Sequence, residues 1–168
     1  MDGERTDCDP EESYARPPTI EDLVTVCRSL NEEKAQYAII GGMALNHYGF
    51  VRGTHDIDLL VESSPENMER VIKAPGRLPD GAALEIDPED ITSYSVIRIN
   101  DVITVDLLGK ACNVTYEDAA DSLDIDAALG VPIPFASVSI LLRTKDTTRE
   151  ADRRDRAFLE DLLLRGTP

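Results

Sequence analysis

The chain has 168 residues, of which 33 are Asp or Glu and 17 Lys or Arg, giving a formal net charge of −16. With 42% hydrophobic residues it has the composition of one globular domain with its own core, which excludes a fibrous or wholly disordered protein. The negative charge works against loose binding to nucleic acid, because such affinity comes mainly from neutralised phosphates.

No apolar run reaches the roughly 20 residues that span a bilayer, and the acidic start lacks a secretory pattern, so a cytoplasmic protein with no membrane contact is expected. Residues 1–18 are polar and acidic and end in Pro17-Pro18; they are expected to be a flexible lead-in to a single domain over 19–168. Thr19 followed by Asp22 reads as a helix cap, with Leu23, Val26, Cys27 and Leu30 at helical spacing through Glu33. Tyr37-Ala38-Ile39-Ile40 predicts a strand ending in a turn at Gly41-Gly42, then a short helix from Met43 that Gly49 stops. Ile57, Leu59 and Val61 alternate with Asp56, Asp58 and Leu60, the mark of a strand with one apolar and one partly polar face.

A turn at Ser63-Ser64-Pro65 leads into a helix bearing Met68, Val71 and Ile72. The β-prone runs 94–99 and 102–108 flank Asn100-Asp101 and predict a hairpin with a two-residue turn. The run 131–135, limited by Pro132 and Pro134, is expected to be a short strand or an edge. Ser137 can cap a helix through Leu142, and a last helix is predicted from about Thr148 to Arg165. Cys8, Cys27 and Cys112 are odd in number, far apart and without C-x-x-C spacing, so plain thiols are expected. The mixture of elements predicts an α/β (α+β) fold.

Residues two apart in a strand share a face, so Asp56 and Asp58 project side by side while Ile57 and Leu59 enter the core. Asp106 lies between Val105 and Leu107 in the second run of the hairpin, and an antiparallel neighbour could bring it to the same polar face. Crowded carboxylates repel, a cost that a divalent cation removes, and hard cations such as Mg²⁺ favour carboxylate oxygens together with substrate phosphates. Gly41-Gly42, between a strand and a helix, leaves backbone N–H groups open to a phosphate or simply makes a tight turn.

The stretch from Gly41 to Leu59 resembles the signature of minimal nucleotidyltransferases of the polymerase-β-like superfamily. In that pattern Gly-Gly follows an apolar strand, Asp-apolar-Asp comes about a dozen residues later, and a third acidic residue lies in a later strand. More narrowly, Ala44, Gly49, Arg52 and Thr54 are similar to residues of the abortive-infection nucleotidyltransferase toxins of type IV toxin–antitoxin systems, as are Lys145 after a Pro-containing strand and Arg154-Asp155 in the last helix. The resemblance covers about residues 37–165.

The resemblance implies the nucleotidyltransferase fold, a small mixed twisted sheet carrying the carboxylates with helices packed beside it. It implies that Asp56 and Asp58 hold Mg²⁺ (or Mn²⁺) on a nucleoside triphosphate, and that Asp106 binds a second metal or accepts the proton of the attacking hydroxyl. Gly41, Gly42, Arg52, Thr54 and Lys145 are the expected nucleotide-binding residues. Lys145 would neutralise the β- or γ-phosphate or be a solvated charge at a helix end, and Arg52 would orient phosphates or anchor the loop before Asp56. The expected reaction transfers a nucleoside monophosphate to a hydroxyl of RNA (a tRNA), a protein or a small molecule, with an antitoxin as a further expected partner.

Two other readings stand beside it: an antibiotic-modifying nucleotidyltransferase acting on a small cationic substrate, and a catalytically silent nucleotide- or partner-binding module. His47 and His55 are expected to be structural, and Arg153, Arg154 and Asp155 to form a solvated face.

Overall fold

The computed structural model describes residues 15–166. Residues 1–14, which include Cys8 and most of the acidic lead-in, lie outside the described residues. Its described end is attached to the body, since the Arg16 backbone N–H donates to the Val102 carbonyl at 3.0 Å and Pro18 is buried.

Helix α1 (Ile20–Glu32) begins where the sequence signals it: Thr19 and Asp22 exchange side-chain and backbone hydrogen bonds in a full capping box. Leu23, Val26, Cys27 and Leu30 form its buried stripe, each worth about 1.5–3 kcal/mol if of Leu or Val size. Strand β1 (Tyr37–Ile40) is buried at every position, and helix α2 (Gly41–His47) follows with no intervening residue, so that Gly41 and Gly42 form its first turn. Strand β2 (Asp56–Val61) alternates half-buried aspartates with fully buried Ile57 and Leu59. Helix α3 (Pro65–Lys73) is capped by Ser64 and buries Met68, Val71 and Ile72.

Two short 3-10 turns and the short helix α4 (Asp90–Ser93) lead to β3 (Ile97–Asn100) and β4 (Thr104–Leu108). A two-stranded ribbon, β5 (Lys110–Ala111) with β6 (Val114–Thr115), and α5 (Tyr116–Ala120) come next, then β7 (Asp124–Ala128) and β8 (Val131–Phe135). Helices α6 (Val138–Thr144) and α7 (Glu150–Arg165) close the described chain and pack on each other. The main sheet has six strands in the order β3-β4-β2-β1-β8-β7, and its apolar residues join those of the helices in one core. The fold is thus mixed α/β, with a mixed sheet and flanking helices.

Two expectations are corrected, and of the two alternatives for 131–135 the short strand is the one found. The hairpin turns over Asp101–Ile103 and pairs Arg98 with Asp106, where a two-residue turn at Asn100-Asp101 would have put Ser95 there. The longer loop is fixed by the Asp101 carboxylate, which is buried and accepts the N–H groups of Val102 (2.8 Å), Asp80 (3.2 Å) and Ala82 (3.3 Å). The neighbour that aligns Asp106 with the other aspartates is parallel, not antiparallel: β2 pairs with β4 in parallel register, and the long connection through α3 and β3 makes this possible. Finally β8 is interior, between β1 and β7; it meets β1 only near Phe135, so its prolines break few ladder bonds, and β7, acidic and exposed, forms the edge.

Candidate active site

The parallel register sets Asp58 directly beside Asp106, with Asp56 one side-chain step away on the same face. One oxygen from each of the three carboxylates lies within 4.8 Å of the others, close enough to share a cation. Burial, then the neighbouring charges of Asp56 and Asp106, push the Asp58 carboxyl up to about 7. Burial and Asp106 raise Asp56 as well. Such crowding favours protonation or a bound cation, and the hard oxygen donor set fits Mg²⁺ or Mn²⁺.

The backbone before β2 is shaped around this trio. Gly41 has φ +69°, and a Cβ there would stand 2.0 Å from Asp58 Oδ2, so the position needs glycine both for its conformation and for the close approach. A Cβ on Gly42 would stand 2.6 Å from Thr54 Oγ1, and that hydroxyl donates to the Asp56 carbonyl at 3.1 Å. Thr54 therefore fixes the entry of β2, and the two glycines let α2 lie against it.

The trio opens into a cleft of about 550 Å³ whose walls include Gly41, Gly42, Arg52, Thr54, Asp56, Asp58, Asp106 and Lys145. All eight residues singled out from the sequence thus share one cavity. Lys145 is not a solvated charge: it caps α6, is buried, and its Nζ lies 3.0 Å from Asp155 Oδ2 and 3.4 Å from Asp152 Oδ1. Arg52 Nη2 lies 3.2 Å from Asp155 Oδ2, so one carboxylate of α7 holds two of the cations that line the cleft. Asp155 is accordingly buried, contrary to the expected solvated face, while Arg153 and Arg154 are exposed as expected. The pairing is incomplete, with Asp155 Oδ1 and Arg52 Nε buried and without a hydrogen-bond partner among the described residues.

Arg98 was not anticipated as a site residue. Its Nε donates to Asp106 Oδ1 at 2.9 Å and its Nη2 to Asp106 Oδ2 at 2.8 Å, with Asp56 Oδ2 a further 3.3 Å from Nη2. The alternation Ile97, Arg98, Ile99 carried the signal of its face, but the misplaced turn hid its partner. Arg149 also lines the cleft and pairs with Asp152. His47 is structural, stacked on Phe135 with ring centroids 3.9 Å apart and bonded to Asp124 at 2.9 Å. His55 lines the cleft without a hydrogen bond among the described residues.

No protein-family model matches the chain, and no curated protein is significantly similar to it. Among the described residues no helix is long and apolar enough to cross a membrane.

Proposed function

We propose that the protein is a metal-dependent nucleotidyltransferase with the polymerase-β-like nucleotidyltransferase fold, transferring a nucleoside monophosphate from a nucleoside triphosphate to an acceptor hydroxyl. The observation that carries the reading is the in-register trio Asp56, Asp58 and Asp106 facing a cleft that Lys145 and Arg52 also line. Carboxylates that repel one another are suited to a divalent cation, and cations across the same cleft are suited to the phosphates that would accompany it.

Asp56, Asp58 and Asp106 would hold Mg²⁺ or Mn²⁺, which when bound neutralises charge on the triphosphate. Lys145 and Arg52, held by Asp155, supply fixed positive charge to the phosphates. The acceptor oxygen forms a bond to the α-phosphorus, the bond to the β-phosphate oxygen breaks, and pyrophosphate leaves; a carboxylate of the trio, Asp106 or Asp56, takes the hydroxyl proton. Most of the rate enhancement in such chemistry comes from positioning and charge neutralisation.

The acceptor is an RNA, a protein or a small molecule, and a toxin kept in check by an antitoxin is the physiological setting that the sequence resemblance favours. The net charge of −16 favours a second reading of the acceptor, a small cationic molecule such as an aminoglycoside. The test is transfer of α-labelled ATP, CTP, GTP and UTP, with Mg²⁺ or Mn²⁺, onto total tRNA, the protein itself and an aminoglycoside panel. Label that vanishes in Asp58→Ala supports the enzyme and names its acceptor; Mg²⁺-dependent nucleotide binding without turnover on any acceptor would instead favour the silent binding module.

A further inference from the structure

We propose that Arg98 is a placeholder cation for the metal: its guanidinium occupies the carboxylate oxygens when no metal is present, is displaced when the metal binds, and then pairs with the phosphates that the metal brings. The inference rests on the proposed metal-dependent reading and adds to it a residue that regulates loading of the site.

The argument starts from where Arg98 stands. It is opposite Asp106 on β3, an edge strand, so its backbone is fixed by the hairpin while its side chain is 57% exposed and has room to swing. A cross-strand partner for Asp106 alone would end at Asp106. Arg98 goes further, reaching across β4 with Nη2 to Asp56 on β2, and so spans the outer two members of the trio. A planar guanidinium with several donors can satisfy two carboxylates at once, and this is the charge compensation that a divalent ion would otherwise supply.

The two cations compete, because the oxygens that Arg98 uses, on Asp56 and Asp106, belong to the carboxylates that lie within 4.8 Å of one another and of Asp58. Asp58 has no hydrogen bond from Arg98, so the guanidinium covers two of the three carboxylates and leaves the third to meet the ion. Once released, the guanidinium stays over the cleft, since the pairing of β3 with β4 does not depend on its side chain. From there it can reach the phosphates of a nucleotide bound in the same cleft.

The test is Mn²⁺ binding to the full chain, measured by electron paramagnetic resonance without nucleotide, for wild type, Arg98→Ala and Arg98→Gln. Loss of an exposed competing cation is expected to tighten Mn²⁺ binding by about tenfold in both variants. Unchanged or weaker binding in folded variants overturns the proposal and makes Arg98 a support for the ligands. The second arm is ATP affinity at saturating Mn²⁺, expected to be several-fold weaker in both variants; equal affinity overturns the transfer of Arg98 to phosphate. Should no form bind Mn²⁺, this proposal and the metal-dependent reading both fall. Tighter Mn²⁺ binding in the variants with no nucleotidyl transfer by the wild type would sink the enzyme reading alone.

Discussion

Gly41 and Asp58 are in such close contact that the smallest side chain on the one would overlap the carboxylate of the other: a Cβ at Gly41 would lie 2.0 Å from Asp58 Oδ2. A glycine at the start of a helix is thus part of the wall of the carboxylate site. Gly41→Ala is expected to lower stability by about 1–3 kcal/mol, from the positive φ and the overlap together. Mn²⁺ affinity should fall with it, because Asp58 must move. Thermal melts and Mn²⁺ titrations check both, and a variant with unaltered Mn²⁺ binding would show that Asp58 is not positioned by this contact.

The raised Asp58 carboxyl gives the metal-free protein a definite pH dependence. Its folded value, about 7, is above the ordinary carboxylate value of 3.8, so the folded state binds the proton more tightly than the unfolded state. The resulting stabilisation is fully present below about pH 4 and is lost as pH rises towards 7. In Asp58→Asn this part of the fall should be absent, giving a flatter profile of denaturant midpoint between pH 4 and 7. Mn²⁺ affinity of the wild type should rise over the same interval as the carboxyl becomes ionised; an affinity independent of pH would remove Asp58 from the ligand set.

Asp155, buried on α7, pairs with both Lys145 and Arg52, and removing it leaves them short of a counter-charge. Breaking a buried pair of this kind costs about 3–5 kcal/mol, so Asp155→Ala should lower Tm by roughly 10 °C. In any protein that remains folded at the assay temperature, KM for the nucleotide should rise more than kcat falls, because the cations are misplaced for binding.

Cys27 is on the buried face of α1, and burial pushes its thiol up to about 12, while Cys112 is exposed. In a Cys8→Ser background, one equivalent of an aromatic disulfide reagent should react quickly at pH 8 and a second only on unfolding. Rapid reaction of two equivalents in the native protein would mean that α1 opens readily.

Much of the fold was legible because local rules act alone there. The Thr19 capping box, the turn at Ser63-Ser64-Pro65, the Ser137 cap and the alternation of Asp56 to Leu59 each depend on a few neighbouring residues. What escaped depended on distant partners. The turn at Asp101–Ile103 follows from a carboxylate that gathers N–H groups from Asp80 and Ala82, residues no periodicity connects to it. Strand β7 is almost wholly exposed and Asp-rich, its short alternation Asp124-Ile125-Asp126-Ala127 buries no apolar face, and it exists because β8 offers it a ladder.

The site divides in the same way. Asp56 and Asp58 could be paired from their spacing, but the alignment of Asp106 with them needed the parallel register, and Arg98 could not be found while the hairpin was set three residues out of step. Lys145 and Asp155 were visible only as members of a motif; their mutual contact is a tertiary fact.

The parallel pairing of β2 with β4 has a consequence for the protein's birth on the ribosome. Asp58 emerges long before Asp106, and Lys145 and Asp155 later still, on helices made after the whole sheet has been synthesised. A nascent chain that ends before Asp106 carries a pair of aspartates without the third carboxylate, and one that ends before Lys145 has the trio without the Lys145–Asp155 pair. Whatever chemistry the cleft performs, it needs a chain synthesised at least through Asp155.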